Sequence, residues 1–161
     1  MQEDLEYCQR KLETYLEKKR GVFPRFYFCS NSDLLKILSI GTDPNAIQDD
    51  FEKMFDAISR VTFDRIDRRL LKAINQDWGG TTETVELDDP VKCEGNIEDW
   101  LCKLEGAMQG SVRTICQNGA AECFSMGLVE FVNKYQSQIA LLGIQLLFTQ
   151  KVTDCLERTK D

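Results

Sequence analysis

Apolar residues recur at Leu5, Cys8, Leu12, Tyr15 and Leu16, in steps of three and four that mark one face of a helix. Glu6 and Arg10 stand in the favourable i,i+4 order, and Lys18, Lys19 and Arg20 gather at the end, where cations suit the helix dipole. Gly21 reads as the stop, confirmed by Pro24. The aromatic stretch Phe23, Pro24, Arg25, Phe26, Tyr27, Phe28 has no helical caps and reads as a packed connector or a short strand. Ser30 and Asp33 have capping-box spacing and open a short helix through Leu34, Leu35, Ile37 and Leu38, closed by Gly41. Asp43 with Pro44 then predicts a further helix, with Ile47, Phe51, Met54, Phe55 and Ile58 inward and Gln48, Asp49, Glu52 and Lys53 outward.

The texture changes over 61–93. Val61 and Phe63 alternate with polar residues, and two strand-like runs, 70–74 and 82–87, flank the turn Trp78-Gly79-Gly80. A β-hairpin or three short strands fit, ending at Pro90; 65–71 also reads as helical. Asn96 caps a helix carrying Ile97, Trp100, Leu101, Leu104, Met108, Val112 and Ile115, broken at Asn118-Gly119. Gly106 and Gly110 lie inside it at a spacing that means close contact in membranes, but read here as incidental. A short helix over 124–131 and a last one over 135–158 complete the chain. The middle of the last helix is apolar nearly all round, so it requires partners on most sides. The fold class is mainly α, with a small β-hairpin insertion: helices over 1–60, the β insertion over 61–93, helices over 94–161.

Composition narrows the chemistry. The chain has 161 residues, enough to bury a sizeable core. Its formal charge of −7 argues against nucleic acid and anionic lipid as partners. There is no histidine, which removes imidazole bases, Ser-His-Asp constellations and His-ligated metals. The odd total of seven cysteines, none at CxxC spacing, predicts mostly structural thiols in a reducing, intracellular setting. No secretory leader is written at the start, and the apolar stretch 139–148, interrupted by Gln145, falls short of the ~20 residues that span a bilayer. The adjacent acids Asp49-Asp50, Asp88-Asp89 and Glu98-Asp99 read as solvated faces and caps. No phosphate loop is present, and neither a cofactor nor a metal is expected.

The run CQRKLETYLEKKRGVFPRFYFCSNSDLLKIL, from Cys8 to Leu38, resembles the linker region of dynein heavy chains. There a leucine-spaced helix with a basic end leads into Phe-Pro-Arg-Phe-Tyr-Phe and a Leu-Leu-x-Ile-Leu helix. Residues 41–64, with Pro44, Ile47, Gln48, Phe55 and Ile58, are similar to the family's next helix. Ile97, Trp100, Leu101, Leu104 and Met108 are similar to a later one, and Ser137-Gln138-Ile139 to the start of another. The resemblance thus runs over nearly the whole chain, in order. It departs at 78–83, where the family has a Glu-Gly-Glu turn, and at Gly106 and Gly110.

The resemblance implies a helical-bundle segment of a rod: a non-catalytic mechanical linker, or lever arm, of an ATP-driven microtubule motor. The ATPase modules would lie elsewhere in a longer chain, with Met1 introduced when the piece was cut. Implied partners are the rest of the heavy chain (ATPase ring and adjoining linker parts) and, through it, the other dynein subunits, without direct microtubule contact. The implied location is the cytoplasm and its microtubule cytoskeleton, including the axoneme of cilia. Ser30-Asn31 is of the axonemal kind, whereas Ile47-Gln48 and Val61-x-Phe63-Asp64 are of the cytoplasmic kind. The structural motif would be Phe23, Pro24, Arg25, Phe26, Tyr27, Phe28, Leu34, Leu35, Trp100 and Leu101, with Leu142, Leu146 and Phe148 packing on neighbouring parts. The alternatives are an acidic helical adaptor that binds a partner helix, and a carboxylate enzyme.

Overall fold

Helix α1 spans Gln2–Val22 and passes through Gly21. The stop lies one step later: Phe23 is extended, at φ −123 and ψ 96, as the residue before a proline is driven to be. The chain then coils into a 3-10 turn, Pro24–Phe28, where a connector or strand was expected. The structure is a computed structural model and describes residues 2–40 and 43–159; the expectations for Met1 and Gly41 lie outside the described residues.

Among the described residues, α2 (Asn31–Ile40), a 3-10 turn (Gln48–Asp50) and α3 (Phe51–Met54) come next. Strands β1 (Arg60–Phe63), β2 (Leu70–Trp78) and β3 (Thr81–Lys92) follow. Helices α4 (Ile97–Glu122), α5 (Leu128–Lys134) and α6 (Ser137–Arg158) complete the order. The protein is mainly α with one small antiparallel sheet. It divides into two compact units, Met1–Met108 and Gln109–Asp161, with α4 running through the boundary.

In the first unit, half of the Ser30–Asp33 box forms: Asp33 N–H donates to Ser30 Oγ at 3.1 Å, but the Asp33 carboxylate accepts from the Ser30 hydroxyl at 2.6 Å in place of the Ser30 N–H. The long helix expected after Pro44 does not form. Residues 44–47 are a turn, the 3-10 turn follows, and α3 is one turn long. Tertiary bonds compete with the helix there. Gln48 braces β1 like a strand backbone, donating from Nε2 to Val61 O at 2.9 Å and accepting Val61 N–H on Oε1 at 3.0 Å. The inward residues are still those the spacing picked out: Ile47, Phe51, Met54, Phe55 and Ile58 are all buried.

The sheet is a meander in the order β1-β2-β3. Gly79 and Gly80 form the two-residue turn between β2 and β3, with φ of 56° and 87°, which side chains with a Cβ rarely adopt. Pro90 does not end the region. It sits in a bulge of β3, where Leu71 pairs with Val91 but Ala73 pairs with Glu86, so the bulge absorbs a residue that has no N–H to donate. Residues 65–71 are a loop and the start of β2, not a helix.

In the second unit, α4 continues through Asn118-Gly119. The glycine at 119 has a packing role inside the helix: a Cβ there would meet Ile139 Cγ2 at 2.7 Å. Among the described residues nothing lies within 4 Å of a Cβ built at Gly106 or Gly110, so no other helix approaches them there. The helix expected over 124–131 starts later, and Phe124 is exposed in the preceding turn.

Candidate mechanical joint

The largest buried side chains of the first unit converge where the end of α1, the Pro24–Phe28 turn, α2, α3 and the start of α4 meet. Phe23, Phe26, Leu34, Ile37, Phe51, Trp100 and Leu101 are fully buried there. Phe23 meets Phe26 edge-on, with ring centroids 4.9 Å apart at 78°, and lies 6.1 Å from Phe55. Phe51 lies 6.4 Å from Trp100. The 3-10 turn places Phe26 three residues after Phe23, so both rings enter the core. Pro24, Tyr27 and Phe28 stay outside, and Arg25 and Leu35 are half-buried. The aromatic run therefore has two sides.

Polar groups tie the same elements together. Arg20 gathers the chain after α1: Nη2 donates to Cys29 O at 3.2 Å and to Asn31 Oδ1 at 2.8 Å, and Nη1 to Glu17 at 2.9 Å. Arg25 donates to Glu105 on α4 at 3.0 Å while its guanidinium lies 4.7 Å from the centre of the Phe55 ring. Lys19 donates to Glu98 at the start of α4. That hydrogen bond, against the opposing effect of burial, raises the Lys19 pKa. Lys19 thus does more than terminate a helix.

The adjacent acids depart from the sequence reading. Asp49 is solvated, but Asp50 and Glu98 are buried. Asp50 is held by Lys36 of α2, whose Nζ lies 3.1 Å from Oδ1 and 3.0 Å from Oδ2, and by Lys53 at 3.0 Å. Lys53 also donates to Asp33 at 2.5 Å. Burial alone would raise the Asp50 pKa, yet the hydrogen bonds from Lys53 and Lys36 outweigh it and the carboxyl stays below its ordinary value. The pattern of apolar positions carried no sign of this network. The alternating charges Asp33, Lys36, Asp50 and Lys53 were the available signal.

The cysteines depart as well. All seven are free, but only Cys29, Cys93 and Cys123 are buried, whereas Cys8, Cys102 and Cys155 are exposed. Burial pushes the Cys93 thiol up to about 12.

The second unit has a smaller centre of Cys123, Phe131 and Ala140. Gly143 lets α6 approach α5: a Cβ there would fall 2.3 Å from Phe131 Cε1. Glu122 accepts from Lys134 at 2.6 Å and from Tyr135 at 2.7 Å. Of the three residues expected to pack outward, Leu142 and Phe148 are exposed, the latter to 68%, and Leu146 is half-buried. By length and composition α6 is apolar enough to cross a membrane, which its short apolar middle did not suggest; 17% of its apolar window is buried.

The family model described as "Dynein heavy chain, N-terminal region 2" matches residues 1–119. The chain belongs to the dynein heavy chain family. It is therefore similar to a motor-protein component, and the match is to an N-terminal region of these heavy chains. Dynein axonemal heavy chain 5 of Rattus norvegicus is 40% identical over 161 residues, which cover 98% of this chain and 4% of that protein. The dynein gamma chain of the flagellar outer arm of Chlamydomonas reinhardtii is 38% identical, covering 99% of this chain and 4% of that one. Dynein axonemal heavy chain 6 of Homo sapiens is 36% identical, covering 95% and 4%. The chain spans about 4% of the length of these curated relatives.

Proposed function

We propose that these residues form a non-catalytic lever segment of an axonemal dynein heavy chain, one that passes a rotation from one end to the other through close packing. The observation that carries this reading is the joint itself. Phe23 and Phe26 leave α1 and enter the core that holds α2, α3 and α4, and Lys19–Glu98 and Arg25–Glu105 tie the same turn to α4. Close-packed cores resist continuous deformation, which suits a part that must move without bending. The axonemal assignment is supported by the names of the relatives. On this reading the partners are the ATPase ring and adjoining linker parts of a longer chain. The same reading requires no contact with nucleic acid, membrane or microtubule, and no cofactor.

Phe26→Ala in the full-length heavy chain is the test. The expected result is retained ATP hydrolysis with slowed microtubule gliding, because the lever yields while the chemistry proceeds. Unchanged gliding speed, or a gene that encodes no ATPase modules, overturns the proposal.

The exposed apolar positions Leu141, Leu142 and Phe148 on α6 favour a second reading, an acidic helical adaptor. An adaptor would be monomeric alone and bind one helical partner. A section of a rod would self-associate or bind a hydrophobic dye.

A further inference from the structure

The loop between β1 and β2 combines an exposed apolar tip, exposed arginines and a fixed backbone. Its tip residue, Ile66, is 97% exposed. Arg65, Arg68 and Arg69 surround it in sequence, are exposed, and form none of the ion pairs found among the described residues. The backbone that carries them is nonetheless fixed. Asp64 Oδ1 accepts the N–H of Ile66 at 2.8 Å and of Asp67 at 3.0 Å, and its other oxygen is paired with Lys72. Asp67 Oδ1 accepts the N–H of Arg69 at 3.0 Å, and Arg69 O accepts the N–H of Cys93 at 2.8 Å.

A lone exposed isoleucine would need no explanation. An isoleucine pinned at the tip of a hydrogen-bonded loop, between unpaired guanidiniums, is different: arginine and buried apolar anchors dominate binding energy at protein interfaces. Asp64 is offset by Lys72, and nearby Lys92 by Glu94 at 2.9 Å. Three guanidiniums against the one remaining carboxylate, Asp67, leave the loop an excess of positive charge to offer a partner, in a chain whose overall charge is −7. One isoleucine and three guanidiniums cover far less than the roughly 1,000 Å² that a stable association of separate proteins requires. Such a contact persists only when its partner is tethered nearby at high effective concentration.

We infer that loop 64–69 docks on an acidic surface with a small apolar pocket for Ile66, located elsewhere in the same heavy chain. The inference rests on the lever reading, since it needs the longer chain. The test is Ile66→p-benzoylphenylalanine in the full-length heavy chain, irradiated and mapped by peptide mass spectrometry. The expected product is an intramolecular adduct to one segment in which Asp and Glu outnumber Lys and Arg. Its yield should fall about tenfold in the Arg65→Glu, Arg68→Glu, Arg69→Glu background, and similarly as salt is raised. That background should leave the melting temperature of the chain unchanged, because the three side chains are exposed and their N–H groups remain.

An absent adduct, one scattered over many segments, one to another protein or to lipid, or one insensitive to charge reversal overturns the inference and leaves the lever reading standing. A gene without ATPase modules overturns both.

Discussion

The two-sided aromatic run permits a prediction with its own control. Phe26 is fully buried and makes an edge-on pair with Phe23 at 4.9 Å; Phe28, two residues on, is 73% exposed. Truncating a buried phenylalanine to alanine costs about 3–5 kcal/mol, from lost transfer energy and the cavity left behind. Losing the edge-on pair contributes about 0.5–1.5 kcal/mol of that total. A chain of this size loses about 2–4 °C of melting temperature per kcal/mol, so Phe26→Ala should lower it by about 6–20 °C. Phe28→Ala removes a ring that is mostly in water and should change stability by less than about 0.5 kcal/mol. Thermal unfolding followed by near-UV circular dichroism, where the buried rings report, measures both. Equal shifts for the two variants, or no shift for Phe26→Ala, would refute the claim that Phe26 locks α1 to the rest of the joint.

Gly143→Ala should destabilise the second unit by about 1–3 kcal/mol, toward the upper end, because the clash is with a fully buried ring; denaturant unfolding measures it. Asp50→Ala should cost about 1–3 kcal/mol rather than the 3–5 typical of a broken buried pair, since Lys36 and Lys53 are partly exposed and can turn to water; the same titration decides it. Stability should be nearly flat from about pH 5 to 8, because no histidine titrates there. It should fall as pH drops below about 4, because Asp33, Asp50, Asp64 (about 2) and Glu122 all have folded pKa values below their ordinary ones. That contribution is present above the unfolded values and is lost on protonation; melting temperature against pH checks the sign.

The inward faces were legible in the chain because burial imposes a period. Ile47, Phe51, Met54, Phe55 and Ile58 were picked out correctly even though the helix that would have spaced them did not form. Tertiary bonds from Gln48 to Val61 redirected the backbone without changing which side chains were apolar. Asp50 and Glu98 were not legible for the converse reason. A buried charge is decided by partners distant in sequence, Lys36 and Lys19, and local pattern records only that acids favour water. Gly119 was misread because glycine serves two ends with one residue: it breaks helices, and it also lets them touch.

The apolar positions left outside the two cores have a different origin. Leu5, Leu12 and Tyr15 follow helical spacing and are exposed, as are Leu141, Leu142 and Phe148. A face patterned for burial yet left in water means that the pattern was set by a larger body than these residues form. A chain that spans about 4% of its relatives is expected to carry such faces. Unit by unit, the contrast sharpens. The first unit buries a continuous cluster from Leu16 to Leu104, whereas the second buries little more than Cys123, Phe131 and Ala140 around a helix rich in leucine. The first can be stiff by its own packing. The second leaves the apolar surface of α6 largely in water, so its packing is complete only when that surface is covered.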